Sequence, residues 1–130
     1  MPRKIIILEN IRSAYNVGNV IRTADALGRE VRITGYTPSP LDHPKVKKTS
    51  LGAEDSVALK QFDYTSDAIT YAKELKISII AAEITPDAID LQSFSENNRA
   101  DIAIVFGNEV EGVLLETLKT VDQVVFIPMQ

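Results

Sequence analysis

The first candidates for chemistry in this chain are polar residues that follow an apolar run. Residues 102–106 are Ile-Ala-Ile-Val-Phe, and the run stops at Gly107, which Asn108, Glu109 and Glu111 follow closely. Glycine allows a close approach of another group or a positive φ, and ligands of open α/β sheets bind beyond the carboxyl ends of strands. We therefore predict a ligand-binding turn here. A buried strand followed by a solvated turn would give the same pattern.

A second candidate lies near the N-terminus, in a segment with helical periodicity. Residues at helical spacing place one apolar face on it: Val17, Val20, Ile21, Ala24 and Leu27. The opposite side carries Gly18, Arg22, Asp25 and Arg29. Asn16 is a candidate N-cap, and Gly28 a candidate for the residue after the helix. We therefore expect Arg22 to point away from the core and to face solvent in a concave site.

Alternating strands and helices account for the rest of the chain. Apolar or alternating runs predict strands at residues 5–8, 31–36, 57–62, 77–82, 102–106 and 124–128. Helical patterns cover residues 16–28, 45–52, 67–75 and 114–119, with Thr65 or Ser66 expected to cap the third helix. This order predicts an α/β fold in one domain, residues 1–130, with a mainly parallel sheet and helices on both faces.

Basic residues are concentrated in the first part of the chain. Residues 1–50 carry nine Lys and Arg against four Asp and Glu, whereas residues 51–130 carry five against fourteen. Lys45, Lys47 and Lys48 follow a loop with three prolines at 37–44. Such a distribution is compatible with a face that meets a polyanion, and the lysines could contact phosphates. Chance asymmetry and a solvated charge cluster are the alternatives.

Composition narrows the classes of protein. The chain has 130 residues, 45% of them hydrophobic, and no apolar run long enough to cross a bilayer. No signal peptide is recognisable at the start, so we expect a cytoplasmic protein without a membrane partner. There is no Cys, and a lone His43 does not make a metal site. We therefore expect no metal.

Two segments resemble the motifs of a known family. Residues 10–28, Asn-Ile-Arg-Ser-Ala-Tyr-Asn-Val-Gly-Asn-Val-Ile-Arg-Thr-Ala-Asp-Ala-Leu-Gly, closely resemble the first motif of the SpoU-type RNA methyltransferases of the SPOUT superfamily. Residues 106–113, Phe-Gly-Asn-Glu-Val-Glu-Gly-Val, resemble the second motif. Residues 43–54 and 83–91 also look like the family. The resemblance covers nearly the whole chain in the right order.

This resemblance implies an α/β-knot fold, a homodimer, S-adenosylmethionine as the methyl donor, and a ribose 2′-hydroxyl of tRNA or rRNA as the acceptor. It implies that Arg22 stabilises the developing alkoxide, because a guanidinium does not easily act as a base. Asn16 and Glu109 match motif residues that shape the site and orient Arg22. From the residues alone, Asn16 would be a helix cap.

The resemblance also implies where cofactor and RNA bind. Loops at the carboxyl ends of strands would contact the cofactor, at the positions Ala82, Glu83, Gly107, Ile127 and Met129. RNA affinity is expected from the basic first 50 residues, including Arg12, Arg22, Lys45, Lys47 and Lys48.

One departure concerns the third motif, which in the family follows the Ile-Pro-Met found here at 127–129. Since the sequence ends at Gln130, we expect an incomplete knot, weak cofactor binding and self-association through exposed apolar surface. The alternative function is a truncated non-catalytic SPOUT remnant that binds RNA or dimerises. A generic Rossmann-like nucleotide binder is disfavoured, because no Gly-x-Gly-x-x-Gly follows a predicted strand.

Overall fold

A parallel sheet organises the computed structural model, which describes residues 3–83, 89–90 and 101–126. The strands within these residues are β1 (Lys4–Glu9), β2 (Glu30–Thr34), β3 (Ala58–Phe62), β4 (Ser78–Glu83), β5 (Ile89–Asp90), β6 (Ile102–Phe106) and β7 (Gln123–Phe126). They lie in the order β3-β2-β1-β6-β4-β7-β5, and every described strand pair is parallel. The predicted mainly parallel sheet is confirmed.

The helices lie on both faces of this sheet, as predicted. They are α1 (Ala14–Leu27), α2 (Pro44–Ser50), α3 (Thr65–Glu74) and α4 (Leu115–Leu118), with a 3₁₀ turn at Ala53–Asp55. Side chains alternate along a strand, so Ile5 and Ile7 of β1 join the core under α3. Leu8 joins the core under α1 and α2.

The first helix begins earlier than the sequence suggested. Its N-cap is Ser13, whose Oγ accepts a hydrogen bond from the backbone N–H of Asn16 at 3.1 Å. The prediction of Asn16 as the N-cap is therefore wrong, because Asn16 already lies in the first turn. Gly28 does end the helix, with φ at 68°. This left-handed conformation suits glycine.

A close contact joins α1 to α2. Gly18 of α1 is buried, and a Cβ built there would lie 2.7 Å from the carbonyl oxygen of Val46 and would overlap the Thr49 hydroxyl. The side of α1 opposite its main apolar face is therefore partly covered by α2. This corrects the expectation that Gly18 shares an open side with Arg22. A single helical wheel did not reveal it, because α2 comes from a distant segment.

The third helix has no side-chain cap, contrary to expectation. It starts after Tyr64, and no side-chain hydrogen bond caps its N-terminus. The hydroxyl of Thr65 instead lies 2.7 Å from the Thr34 hydroxyl at the end of β2. Thr65 thus anchors α3 to the sheet rather than closing the helix end.

No helix in the described part of the chain is both long and apolar enough to span a membrane. Among the same residues, no group of three or more His, Cys, Asp or Glu side chains is placed to hold a metal ion.

Candidate functional site

The carboxyl ends of neighbouring strands form the candidate site. β1 has β2 on one side and β6 on the other, because the chain runs from β1 to β2 and β3 and then crosses to β4 beyond β1. Ligands of open α/β sheets bind at such a switch point, outside the carboxyl ends of the strands. The segments that follow β1 and β6 are the two motif segments identified from the sequence. The topology therefore brings them to one place.

Glu109 clasps the start of the first motif segment. Its Oε1 and Oε2 accept hydrogen bonds from the backbone N–H groups of Arg12 and Ser13, both at 2.9 Å. Partial burial alone would raise the pKa of Glu109, but the Arg12 and Ser13 amides, its own amide and the Asn16 side chain together lower it below the ordinary value of 4.5. An anion at a helix N-terminus is also favoured by the helix dipole. Glu109 is therefore charged at neutral pH and holds α1 in position.

Asn16 lies beside Glu109, as the resemblance implied. Its side chain is among the groups that lower the pKa of Glu109, and both residues line the same cavity. Arg22 is different, since Glu109 makes no hydrogen bond to it among the described residues. The orienting role of Glu109 toward Arg22 stays a prediction.

Asn108 ties three strand ends together with both ends of its carboxamide. Its Nδ2 donates to the backbone oxygen of Asn10 at 2.9 Å and to the hydroxyl of Tyr36 at 2.7 Å. Its Oδ1 accepts from the N–H groups of Val110 and Glu111, at 2.8 and 2.9 Å. Asn10 follows β1, Tyr36 follows β2 and Asn108 follows β6. The buried amide therefore fixes both the turn and its neighbours.

Gly107 is required by the turn itself. Asn108 and Gly112 exchange two backbone hydrogen bonds, at 3.1 and 2.9 Å, which fold the chain back on itself. A Cβ at Gly107 would overlap the Gly112 carbonyl carbon and the Val113 nitrogen. The sequence interpretation attributed the missing Cβ to an approaching ligand. The fold supplies a reason that needs no ligand.

Glu9 is a site residue that sequence reasoning missed. Its side chain is fully buried, although the strand predicted from the sequence stops at residue 8. Oε1 accepts from the N–H of Leu114 at 2.8 Å, and Oε2 accepts from the Thr117 hydroxyl at 2.5 Å. The carboxylate thus connects β1 to the segment after the second motif. A carboxylate that directly follows an apolar strand was the available signal, but it does not distinguish a buried anchor from a solvated loop.

An apolar cavity of about 340 Å³ adjoins this cluster. Its lining residues are Leu8, Ile11, Asn16, Val17, Asn19, Val20, Phe106 and Glu109. A second cavity of about 270 Å³ shares Asn19, Val20 and Phe106 and extends to Ile6 and Thr23. Together they form an apolar groove between α1 and the sheet, with Glu109 and the Asn16 amide at one end.

Arg22 faces solvent, as expected, but it lies outside this groove. It is exposed and forms no salt bridge or hydrogen bond with another described side chain. Six residues separate it from Asn16, a distance of about 9 Å along the helix axis. It does not line either of the two cavities. Its position in a concave site stays a prediction.

The predicted RNA-contact residues are all on the surface. Arg12, Lys45, Lys47 and Lys48 are exposed. The lysines lie on α2, which packs against α1. The pKa of Glu54 is lowered, first by the Ser50 hydroxyl and, as a smaller effect, by the charge of Lys47.

The predicted cofactor positions fall on adjacent strand ends where the structure describes them. Ala82 of β4 pairs with Phe106, directly before Gly107. Glu83 ends β4 and pairs with Phe126, the last residue of β7. Ile127 and Met129 lie outside the described residues. The ends of β4, β6 and β7 are thus brought together.

Comparisons with known proteins agree with this arrangement. The SpoU rRNA Methylase family model matches residues 3–130. A curated relative, the tRNA (guanosine(18)-2′-O)-methyltransferase of Borreliella burgdorferi, is 32% identical over 124 residues, which cover 95% of this chain and 55% of the relative.

Solved structures share the fold. A putative RNA methyltransferase of the TrmH family from Porphyromonas gingivalis is 25% identical with a TM-score of 0.85, covering 99% of this chain and 51% of that one. An AdoMet-bound rRNA methyltransferase from Sinorhizobium meliloti has a TM-score of 0.86 at 21% identity, covering 98% of this chain and 48% of that one.

The chain spans about half the length of these relatives. The family match nevertheless covers both motif segments and the strands that position them. The chain therefore belongs to the SpoU rRNA methylase family.

Proposed function

We propose that this domain transfers a methyl group from S-adenosylmethionine to a ribose 2′-hydroxyl of tRNA or rRNA. The observation that carries the proposal is the clasp between Glu109 and the backbone of Arg12 and Ser13, residues that are 97 and 96 positions away in the chain. It joins the two motif segments at the carboxyl edge of a parallel sheet. The relative from B. burgdorferi bears the name of this activity.

The described residues fit the cofactor. Ala82, Glu83 and Gly107 lie at adjacent strand ends, where backbone groups can meet a nucleoside. Ile127 and Met129 would complete these contacts. When bound, S-adenosylmethionine supplies an electrophilic methyl group on a sulfonium.

The chain's own part in the reaction is to hold the ribose and stabilise negative charge. The Glu109 carboxylate is stabilised by backbone amides and forms no salt bridge with Arg22 or Arg12. These guanidiniums stay available for RNA phosphates and for the oxygen that loses its proton. The Glu109 contacts to Arg12 and Ser13 keep the start of α1 in register with the second motif, and Asn16 lines the cavity beside them.

The α/β knot, the homodimer and the cytoplasmic location belong to the same proposal. The apolar groove along α1, with Val20 and Phe106 in its wall, is a surface that a second copy would cover. Light scattering on the purified chain tests the dimer, since a mass of one protomer at all concentrations would contradict it.

The test of the function is transfer of a radioactive methyl group from S-adenosylmethionine to bulk tRNA and rRNA. Nuclease digestion should then release a 2′-O-methylated nucleoside. Arg22→Ala should lower the turnover about 10²- to 10³-fold and weaken RNA binding much less, with cofactor affinity close to that of the wild type.

The controls separate the alternatives. Calorimetry with S-adenosylmethionine measures cofactor binding without turnover. RNA binding with neither cofactor binding nor transfer would favour the non-catalytic binding module. A methyl group on a base instead of a ribose would overturn the proposed acceptor.

A further inference from the structure

Tyr36 is an aromatic residue held rigidly at the mouth of the site. Its hydroxyl accepts a hydrogen bond from Asn108 Nδ2 at 2.7 Å, and its backbone N–H donates to Asn10 Oδ1 at 3.2 Å. The residue before it, Gly35, has a φ of 63°, and Asn10 Oδ1 occupies the place of a Cβ there. The direction of the chain entering Tyr36 is therefore fixed.

The residue after Tyr36 is fixed as well. Thr37 is buried, and its hydroxyl donates toward the backbone oxygens of Leu8 and Thr34, at 3.1 and 2.8 Å. The same oxygen accepts from the N–H of Ile11 at 3.0 Å. Tyr36 is thus clamped on both sides of its backbone and at the far end of its ring.

Despite these restraints, 58% of the surface of Tyr36 is exposed. An exposed ring that has already lost its conformational freedom loses little entropy when it binds a flat partner. Asn108 donates to the tyrosine oxygen, so the phenolic hydrogen remains available for a ligand. A ring that only sealed the loop would have its faces covered.

The surroundings of this ring favour a nucleobase as the partner. Tyr36 is tied through Asn108 and Asn10 to the segment that carries the exposed Arg12. An aromatic ring and a cation carried by two connected loops match a nucleotide, whose base can stack and whose phosphate can pair with a guanidinium. We propose that Tyr36 is a stacking platform for a base of the substrate RNA. This inference rests on the proposed function, because it takes RNA as the ligand.

The design of the test isolates the ring from its hydroxyl. Tyr36→Phe and Tyr36→Leu both remove the hydroxyl that Asn108 holds, but only the leucine variant removes the aromatic face. Tyr64→Leu is the matched control, since Tyr64 is 69% exposed and has no fixed hydroxyl partner among the described residues. Urea denaturation of each variant checks that the fold is retained.

Two measurements are made on each variant. The first is the affinity for bulk tRNA as a function of salt, and the second is the fluorescence quenching of a stem-loop RNA with 2-aminopurine at successive loop positions. Tyr36→Leu should weaken binding about 5- to 100-fold and abolish quenching at one position. Its salt dependence should be unchanged, because phosphate contacts set the slope. Tyr64→Leu should behave like the wild type, and Tyr36→Phe should keep the quenching and lose much less affinity than Tyr36→Leu.

The other outcomes overturn the inference in distinguishable ways. If Tyr36→Leu binds and quenches like the wild type, or if Tyr36→Phe loses as much as Tyr36→Leu, stacking is rejected and the proposed function stands. A changed salt slope in Tyr36→Leu would assign its effect to phosphate contacts instead. If the wild type binds none of these RNAs, both the stacking and the proposed function fail.

Discussion

The two edges of the sheet treat their charged groups differently. At the amino edge, Glu30 pairs with two cations, at 2.8 Å from Arg3 and 2.9 Å from Arg32. At the carboxyl edge, Glu9 and Glu109 accept hydrogen bonds from backbone amides and a hydroxyl instead. Charges at the amino edge are therefore satisfied within the protein.

This difference determines which cations are paired: Glu30 holds Arg3 and Arg32, whereas Glu9 and Glu109 pair with no cation among the described residues. A carboxylate that is stabilised by amides does not need a cationic partner. Arg12 and Arg22 accordingly form no salt bridge with a described residue. The Glu9 and Glu109 carboxylates are thus held by backbone amides and a hydroxyl. The exposed Arg12 and Arg22 are left to meet a polyanion.

The largest expected effect comes from removing Glu9. Glu9→Ala would leave the Leu114 amide and the Thr117 hydroxyl without their partner and would open a cavity at the end of β1. We expect a loss of about 3 kcal/mol in the free energy of unfolding, measured by urea denaturation. The control is Glu116→Ala, which changes an exposed residue on the helix that carries Thr117. It should change stability by less than about 0.5 kcal/mol. Equal costs for the two variants would show that Glu9 is not an anchor.

Asn108 allows a finer separation of the same anchoring. Asn108→Asp keeps an oxygen for the amides of Val110 and Glu111 but loses the donor to Asn10 and Tyr36. Asn108→Ala loses both sets. We expect losses of about 1 kcal/mol for the aspartate variant and about 2 kcal/mol for the alanine variant, from urea midpoints. A loss as large in Asn108→Asp as in Asn108→Ala would mean that the turn itself does not depend on Oδ1.

Local sequence patterns predicted most elements of this fold because their apolar spacing is set by the core. Examples are the strands around Ile5 and Ile104 and the helix that ends at Gly28. Their apolar side chains lie in the core clusters or pack against them. The two-residue β5 was not predicted. Two residues carry too little pattern to mark a strand.

The parts that were wrong or missed depend on contacts between distant residues. Ser13 rather than Asn16 caps α1, and the same Ser13 amide is held by Glu109, 96 positions away. Gly18 is buried by α2, which no helical wheel of α1 includes. The strand predicted at residues 5–8 stops before Glu9, and only the fold places Thr117 beside the Glu9 carboxylate. The family motifs located the site, but its clasps came only from the structure.

Acid should weaken the stabilising contacts of the Glu30 and Glu109 carboxylates, one at each edge of the sheet. The pKa of Glu30 is lowered chiefly by its hydrogen bond to Arg3, against the opposing effect of burial, and that of Glu109 is lowered by amides despite burial. Each contribution is therefore present above the unfolded pKa of about 4.5 and is lost as the pH falls through the lower folded value. We expect Glu30→Gln to cost about 1 kcal/mol and Glu109→Gln about 0.5 kcal/mol at pH 7, both partly screened by solvent.

The salt concentration should separate the contribution of Glu30 from that of Glu109. Urea midpoints at pH 7 and pH 3, each in low salt and in 1 M NaCl, should show both costs smaller at pH 3 than at pH 7. Salt at pH 7 should reduce the cost of Glu30→Gln more than that of Glu109→Gln, because an ion pair is screened more than a carboxylate–amide contact. The same salt response in both variants would remove the distinction between the edges.

The smallest effect on stability, but a large one on binding, is expected from the free cations. Lys47→Glu with Lys48→Glu reverses two exposed charges on α2, which packs beside α1. Stability should fall only slightly, by about 0.5 kcal/mol, because the reversal removes only the small favourable effect of the Lys47 charge on Glu54. RNA affinity should drop and its salt dependence should flatten, because fewer phosphates are neutralised.

The control reverses Lys73 and Lys76, two exposed lysines at the end of α3 on the other face of the sheet, and changes the net charge equally. If both double variants lose the same affinity, total charge governs RNA binding and the face that carries α1 and α2 has no special role. A loss confined to Lys47 and Lys48 would place the RNA on the side of the sheet that carries α1 and α2.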